Sequence, residues 1–207
     1  MSNKEKEEVE DKGQFMRFVR RRRRFTLKSA TQHGFSRALV AYHVSKGDIV
    51  RFARGLYGDP SSGQSAFADY EVLAASGCEF TVALFSALRF HGFTTANPME
   101  VWIALPKDAK KPRTAEAPVR AVWMGNESYR HGVKRVCSGG VSFKVFTAAK
   151  TVADLFKFRN KYGLDIALEA LRDGWRKRLF TMDELREAAK VCRMVRIMSP
   201  YLEGMLG

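Results

Sequence analysis

At 207 residues with a 45% hydrophobic share, the chain has enough apolar material for one good core or two small ones and is not a disordered polymer. A formal net charge of +14 points to an anionic partner, and no apolar run approaches the ~18–20 residues of a membrane span. Three scattered cysteines (Cys78, Cys137, Cys192) and four histidines without ligand spacing argue against a disulfide framework, a metal site or a cofactor, and fit a reducing cytoplasm.

The charge is unevenly spread. The opening "MSNKEKEEVEDKG" has no apolar core of a secretory signal, and residues 1–12, three Lys against five acids, read as a disordered charged tail. Residues 13–58 hold eleven Lys/Arg against one acid, Asp48, a local +10. The remaining residues hold twenty-two against sixteen, or +6. A basic segment of this density is the electrostatic footprint of a polyanion-binding face.

Phe15, Phe18 and Val19 predict a helix near 13–23. Its end runs into Arg20–Arg24. Five consecutive arginines cannot all face one partner, because successive helical residues rotate by about 100°. Part of the run is expected to clamp phosphates and part to favour the helix C-terminus. Arg20, Arg21, Arg23 and Arg24, with Lys28, are the candidate contacts.

Thr26 can cap a short helix through "LKSATQH" that Gly34 ends, and Ser36 can cap "RALVAYHVSK", which Gly47 ends. Two short helices joined through a glycine make a helix-turn-helix pattern. "IVRFA" and "LY" are then β-prone, with Arg54-Gly55 as their turn. Three helices followed by a two-strand ribbon is the order of a winged helix-turn-helix DNA-binding domain, expected over 13–58. In such a unit the third helix enters the major groove and the ribbon follows the backbone. Leu39, Val40 and Val44 face inward; Arg37, Ala41 and Tyr42 face outward, with Ser36 and Lys46 at the ends. Arg37 is the candidate base reader, since guanidinium pairs bidentately with guanine. Arg51 and Arg54 on the ribbon are candidate phosphate contacts. His43 reads as a packed histidine.

Residues 59–65 lie in the Gly/Pro/Ser-rich stretch "GDPSSGQS" and read as a linker. Residues 66–207 then read as a mixed α/β domain ending in helices, so the fold class expected is α+β. "AFADYEVLAA" and "TVALFSALRFHG" are predicted helices; "EVWIALP" and "PVRAVWM" are predicted buried strands, hiding Trp102 and Trp123; "GVKRVCSGGVSFKVF" is a hairpin turning at Ser138-Gly139-Gly140. Thr147 caps "AAKTVADLFKFRNKYG", with Ala149, Val152 and Phe156 on one stripe. "LDIALEALRDGWRK" puts Leu164, Ala167, Leu168, Leu171 and Trp175 on one face, and Thr181 with Glu184 forms a capping box that starts a helix striped by Leu185, Ala188 and Cys192; these stripes read as core. The chain has no Gly-rich phosphate loop, no nucleophile elbow and no carboxylate–lysine nuclease set on the strands, which disfavours an enzyme.

"GFSRALVAYHVSKGDIVRFARGLYGDP" resembles the N-terminal winged helix of AbiEi-type antitoxins, above all in its Arg-Gly-Leu-Tyr ending. "FSALRFHGF" and "AAKTVADLF" resemble two later segments of that family, the second with Lys150-Thr151-Val152-Ala153-Asp154 where the family usually has Arg-Thr-hydrophobic-x-Asp. The similarity runs from about residue 14 to the C-terminus. The resemblance implies an antitoxin of a type IV toxin–antitoxin or abortive-infection system. Such a protein represses its own operon and counteracts a nucleotidyltransferase-like toxin through its C-terminal domain, without requiring a stable complex. Thr151 and Asp154 match the motif but read first as structural. The alternatives are a nuclease aimed by a winged helix and an RNA-binding protein that reads shape.

Overall fold

A computed structural model describes residues 3–63, 65–93, 99–112 and 118–206, so the first two residues of the expected tail and Gln64 of the expected linker lie outside it. The fold is mixed α and β, with helices and two sheets. The chain divides into two compact units. The first takes residues up to Cys78 together with Cys137–Phe143; the second takes Glu79–Arg113, Pro118–Val136 and Lys144–Gly207.

The first unit begins with α1 (Asn3–Arg22), then β1 (Arg24–Thr26), α2 (Leu27–Gln32), α3 (Arg37–Ser45), β2 (Val50–Ala53), β3 (Leu56–Gly58) and α4 (Ala68–Ala75). α1 starts well before the expected position near 13, so the stretch set apart as a disordered tail carries helical backbone from Asn3. Lys and Glu are good helix formers, and charge alone does not break a helix. The predicted caps are in place: Thr26 accepts from the Ser29 N–H and Ser36 from the Leu39 N–H, each at 3.0 Å. β1 was hidden in the arginine run. It pairs antiparallel with β3, which pairs with β2, giving the order β1-β3-β2. Gly55 turns β2 into β3 at φ +80°, a conformation that favours glycine. The core gathers Phe15, Val19, Phe25, Ala30, Phe35, Val40 and Ile49. Phe15 packs edge-on against Phe25 and Phe35, centroids 5.8 and 5.1 Å apart.

The unit does not end at 59–65. α4 belongs to it, and the boundary falls after Cys78. The reason is Glu71 of α4, which is fully buried and bound to Arg24 of β1. A Gly/Pro/Ser-rich stretch marks a turn here rather than a border, with Asp59 capping a short 3₁₀ turn at Pro60–Ser62.

The other sheet contains β4 (Thr81–Val82), β5 (Val101–Pro106), β6 (Val119–Met124), β7 (Val133–Ser138) and β8 (Val141–Phe146), in the order β6-β5-β4-β8-β7. β5 runs parallel to β6 and antiparallel to β4, and β4 runs parallel to β8. The β7–β8 hairpin turns at Gly139 and Gly140, φ +54° and +86°, as predicted. In the second unit α5 (Leu84–Phe90), α6 (Asn126–Arg130), α7 (Ala148–Lys157), α8 (Arg159–Tyr162), α9 (Leu164–Arg176), α10 (Met182–Cys192) and α11 (Val195–Leu206) complete the chain. α7 packs against α5, α9 and α10 and is buried on every side from Ala148 to Phe156, not along one stripe. The Thr181–Glu184 capping box closes in both directions, at 2.8 and 3.2 Å.

Trp123 corrects one expectation. It is 49% exposed on the edge strand β6, and its Nε1–H donates to the Ala109 carbonyl at 2.9 Å. Trp102 is buried as expected.

His91 ends α5 and donates from Nε2 to the Phe146 carbonyl at 2.7 Å. Burial lowers its pKa from 6.5, against the raising effect of that hydrogen bond and with a small contribution from Lys134. The folded state therefore resists protonation that the unfolded chain accepts. Stability is unaffected above the unfolded value of 6.5 and falls as pH drops below it. His91→Gln should flatten this slope in denaturant titrations run from pH 7.5 to 5. An unchanged slope would assign it to other groups.

Candidate nucleic-acid interface

The first unit brings most of the expected contact residues to its surface. Arg20 and Arg21 are exposed in the last turn of α1, Lys28 is exposed on α2, and Arg37, Tyr42 and Lys46 are exposed along α3 and its C-cap. Ser36, also exposed, spends its hydroxyl on capping α3. Arg51 and Arg54 are exposed on β2 and its turn; the Arg51 Nε–H donates to the Ala53 carbonyl at 3.3 Å, which steadies the ribbon. Arg23 is exposed just after α1, at φ +63°.

Arg24 is the correction. It is 4% exposed, and its Nη1 donates to Glu71 Oε2 at 2.9 Å. Its Nη2 donates to the Gly63 carbonyl, and its guanidinium lies 4.2 Å from the centre of the Phe52 ring. Glu71 Oε1 accepts from Ser65 and Ser138 at 2.6 and 2.9 Å. Both buried charges are thus paired and hydrogen-bonded, as burial demands. Arg23 precedes β1 and takes the left-handed conformation, which leaves it outside, whereas Arg24 opens the strand and is buried against Glu71. Gly140 makes room for this: a Cβ there would collide with the carbonyl oxygens of Arg22 and Arg24.

Two contributors escaped the sequence reading. Lys12 places its ammonium 4.7 Å from the centre of the Tyr42 ring, and Lys46 lies 6.0 Å from it. By sequence Lys12 belongs to the acidic tail; only the continuation of α1 brings it to α3. Arg22, absent from the expected contacts, reaches Ser29 Oγ at 3.3 Å and His33 Nε2 at 3.2 Å.

His43 is packed, 4% exposed, with its ring 5.0 Å from that of Phe15 and Nδ1 2.8 Å from Asp48 Oδ2. It therefore holds α3 against α1 rather than facing outward.

In the second unit the motif residues Lys150, Thr151 and Asp154 are all fully buried. Lys150 Nζ lies 2.6 Å from both Asp154 carboxylate oxygens and 4.2 Å from the centre of the Phe146 ring. Thr151 Oγ1 donates to the Thr147 carbonyl at 2.9 Å. The Cys192 thiol sits 3.3 Å from Asp154 Oδ1, and burial, reinforced by the Asp154 charge, pushes its pKa up to about 12. The thiol stays protonated and unreactive. The spacing from 150 to 154 makes the ion pair one helical turn long, in keeping with a structural role for Asp154. These groups form a closed internal network, and nothing about them is accessible to a substrate.

Among the described residues no three His, Cys, Asp or Glu side chains are grouped to hold a metal ion, and no helix is long and apolar enough to cross a membrane. Compared with protein-family models and with curated proteins, the chain matches none.

Proposed function

We propose that the first unit is a winged helix that binds duplex DNA and, on the sequence resemblance alone, that the protein represses its own operon. The reading is supported by the element order α1-β1-α2-α3-β2-β3 with an antiparallel β1-β3-β2 sheet. The observation that carries it is the set of exposed cations on α3 and on the β2–β3 ribbon, within a stretch of eleven Lys/Arg and one acid. In this arrangement α3 enters the major groove and the ribbon cations meet phosphates. On the sequence resemblance alone, the reading extends to an antitoxin of a type IV or abortive-infection system, non-enzymatic and cytoplasmic. Its second unit counteracts a nucleotidyltransferase-like toxin.

Binding to the protein's own promoter should weaken steeply with salt, by about 0.9 in log–log slope for each neutralised phosphate. Arg37→Ala should cost about 1–3 kcal/mol and relax sequence preference, as loss of a base contact does. Arg51→Ala and Arg54→Ala should weaken binding to all sequences alike. A slope near zero, or equal loss of specificity from all three changes, would remove the reading. Protection is tested separately. A full-length Arg37→Ala/Arg51→Ala variant, expressed beside the toxin from an unrelated promoter, should still restore growth. A fragment cut at 60 would not be a fair test, because it strands Glu71 without Arg24.

A further inference from the structure

The end of α9 carries an oddity of residue choice. Its closing turn is made by the Arg178 N–H bonding the Trp175 carbonyl at 3.0 Å and the Leu179 N–H bonding the Gly174 carbonyl at 2.9 Å. The same pair of bonds closes α2 through Gly34 and Phe35, and α5 through Gly92 and Phe93. Those two helices place glycine at the left-handed position, φ +90° and +72°; α9 places Arg178 there, at φ +53°, as α10 places Arg193, at φ +58°. Glycine is the residue this geometry favours. An arginine held in it is a cation kept at a cost, which directs attention to what it faces.

Arg178 faces a groove of about 560 Å³, lined also by Leu179, Met182, Glu184 and Trp175, whose half-buried ring packs against the core and borders the groove. That volume is within the range of about 300–1,000 Å³ found for ligand sites. The charge around it is one-sided: residues 172–178 carry Arg172, Arg176, Lys177 and Arg178 against Asp173 alone. Arg176 is paired with Asp173 at 2.9 Å, and Lys177 donates to the Gly92 carbonyl at 2.6 Å. Among the described residues the Arg178 guanidinium has no such partner and is exposed. The one acid in the groove, Glu184, accepts from the Thr181 N–H at 2.8 Å, so its carboxylate is turned to the start of α10.

We infer that this groove binds single-stranded nucleic acid, with a base on the Trp175 indole and a backbone phosphate on Arg178. An aromatic beside an unpaired guanidinium is the pairing that single strands use, stacking for the base and charge for the backbone. The inference is independent of the reading of the first unit.

All three tryptophans, Trp102, Trp123 and Trp175, belong to the second unit, so tryptophan fluorescence of the full-length protein reports there. Ten-nucleotide oligothymidylate and oligouridylate should each quench it saturably, and a preference between them identifies DNA or RNA as the source. Trp175→Phe should remove most of the quench. Arg178→Gly should leave the melting temperature within a few degrees, since glycine suits the turn. It should also weaken binding about tenfold and lower the salt slope by about 0.7, one single-strand phosphate. Arg178→Lys should retain most of the affinity. Absence of saturable quenching, a full quench in Trp175→Phe, or wild-type affinity in a folded Arg178→Gly protein would overturn the inference.

Discussion

Alanine at Asp154 is expected to destabilise the second unit by about 3–5 kcal/mol, the usual loss when one member of a buried ion pair is removed. The expectation rests on where the partner is left. Lys150 Nζ is fully buried, with Asp154 its only carboxylate among the described residues, the Phe146 ring centre 4.2 Å away and the Met124 sulfur 3.9 Å away. Neither a ring face nor a thioether replaces a carboxylate, so an ammonium would remain in the core. Lys150→Met/Asp154→Leu should recover most of the loss, because apolar groups of similar volume need no compensation. Urea unfolding followed by tryptophan fluorescence measures this directly, since every tryptophan lies in the second unit. A double variant as unstable as Asp154→Ala would mean that packing around α7, and not the stranded charge, sets the cost.

Glu71→Ala should cost the first unit a similar amount, about 3–5 kcal/mol, by leaving the Arg24 guanidinium buried beside Phe52 without its carboxylate. Two hydroxyls, Ser65 and Ser138, would lose their acceptor as well. The effect should appear as faster amide exchange in β1 and β3. The companion variant Arg24→Met separates stability from binding. It should also destabilise the unit, yet leave the salt slope of DNA binding unchanged under conditions where the protein stays folded, because this arginine is spent internally. Arg21→Ala should leave stability alone and lower the slope by about 0.9. A reduced slope in Arg24→Met would put that guanidinium on the phosphates after all.

How much of this could be read beforehand depended on the range of the interaction concerned. The caps at Thr26, Ser36, Thr147 and Thr181 were legible, because a cap is made by one side chain and an N–H three residues on. The β2–β3 turn at Gly55 and the hairpin at Gly139-Gly140 were legible because positive φ selects glycine locally. The outward face of α3 followed from helical period, and the cationic character of residues 13–58 from counting.

The sequence by itself therefore determined the helices and hairpins with strong local signals, the two-part character of the chain and the basic surface of its first part. Only the tertiary structure decided which arginine of five is internal, since Arg24 differs from Arg23 through Glu71, 47 residues away. It also decided that the first unit runs to Cys78, that Lys12 meets Tyr42, and that Trp123 is exposed on an edge strand. It joined Lys150 and Asp154 to Cys192, 38 residues beyond Asp154, in a buried network. The physical reason is the same in each case. Caps, turns and periodicity act over a few residues, whereas the cost of burying a charge or a ring is set by partners that the chain brings together only when it folds.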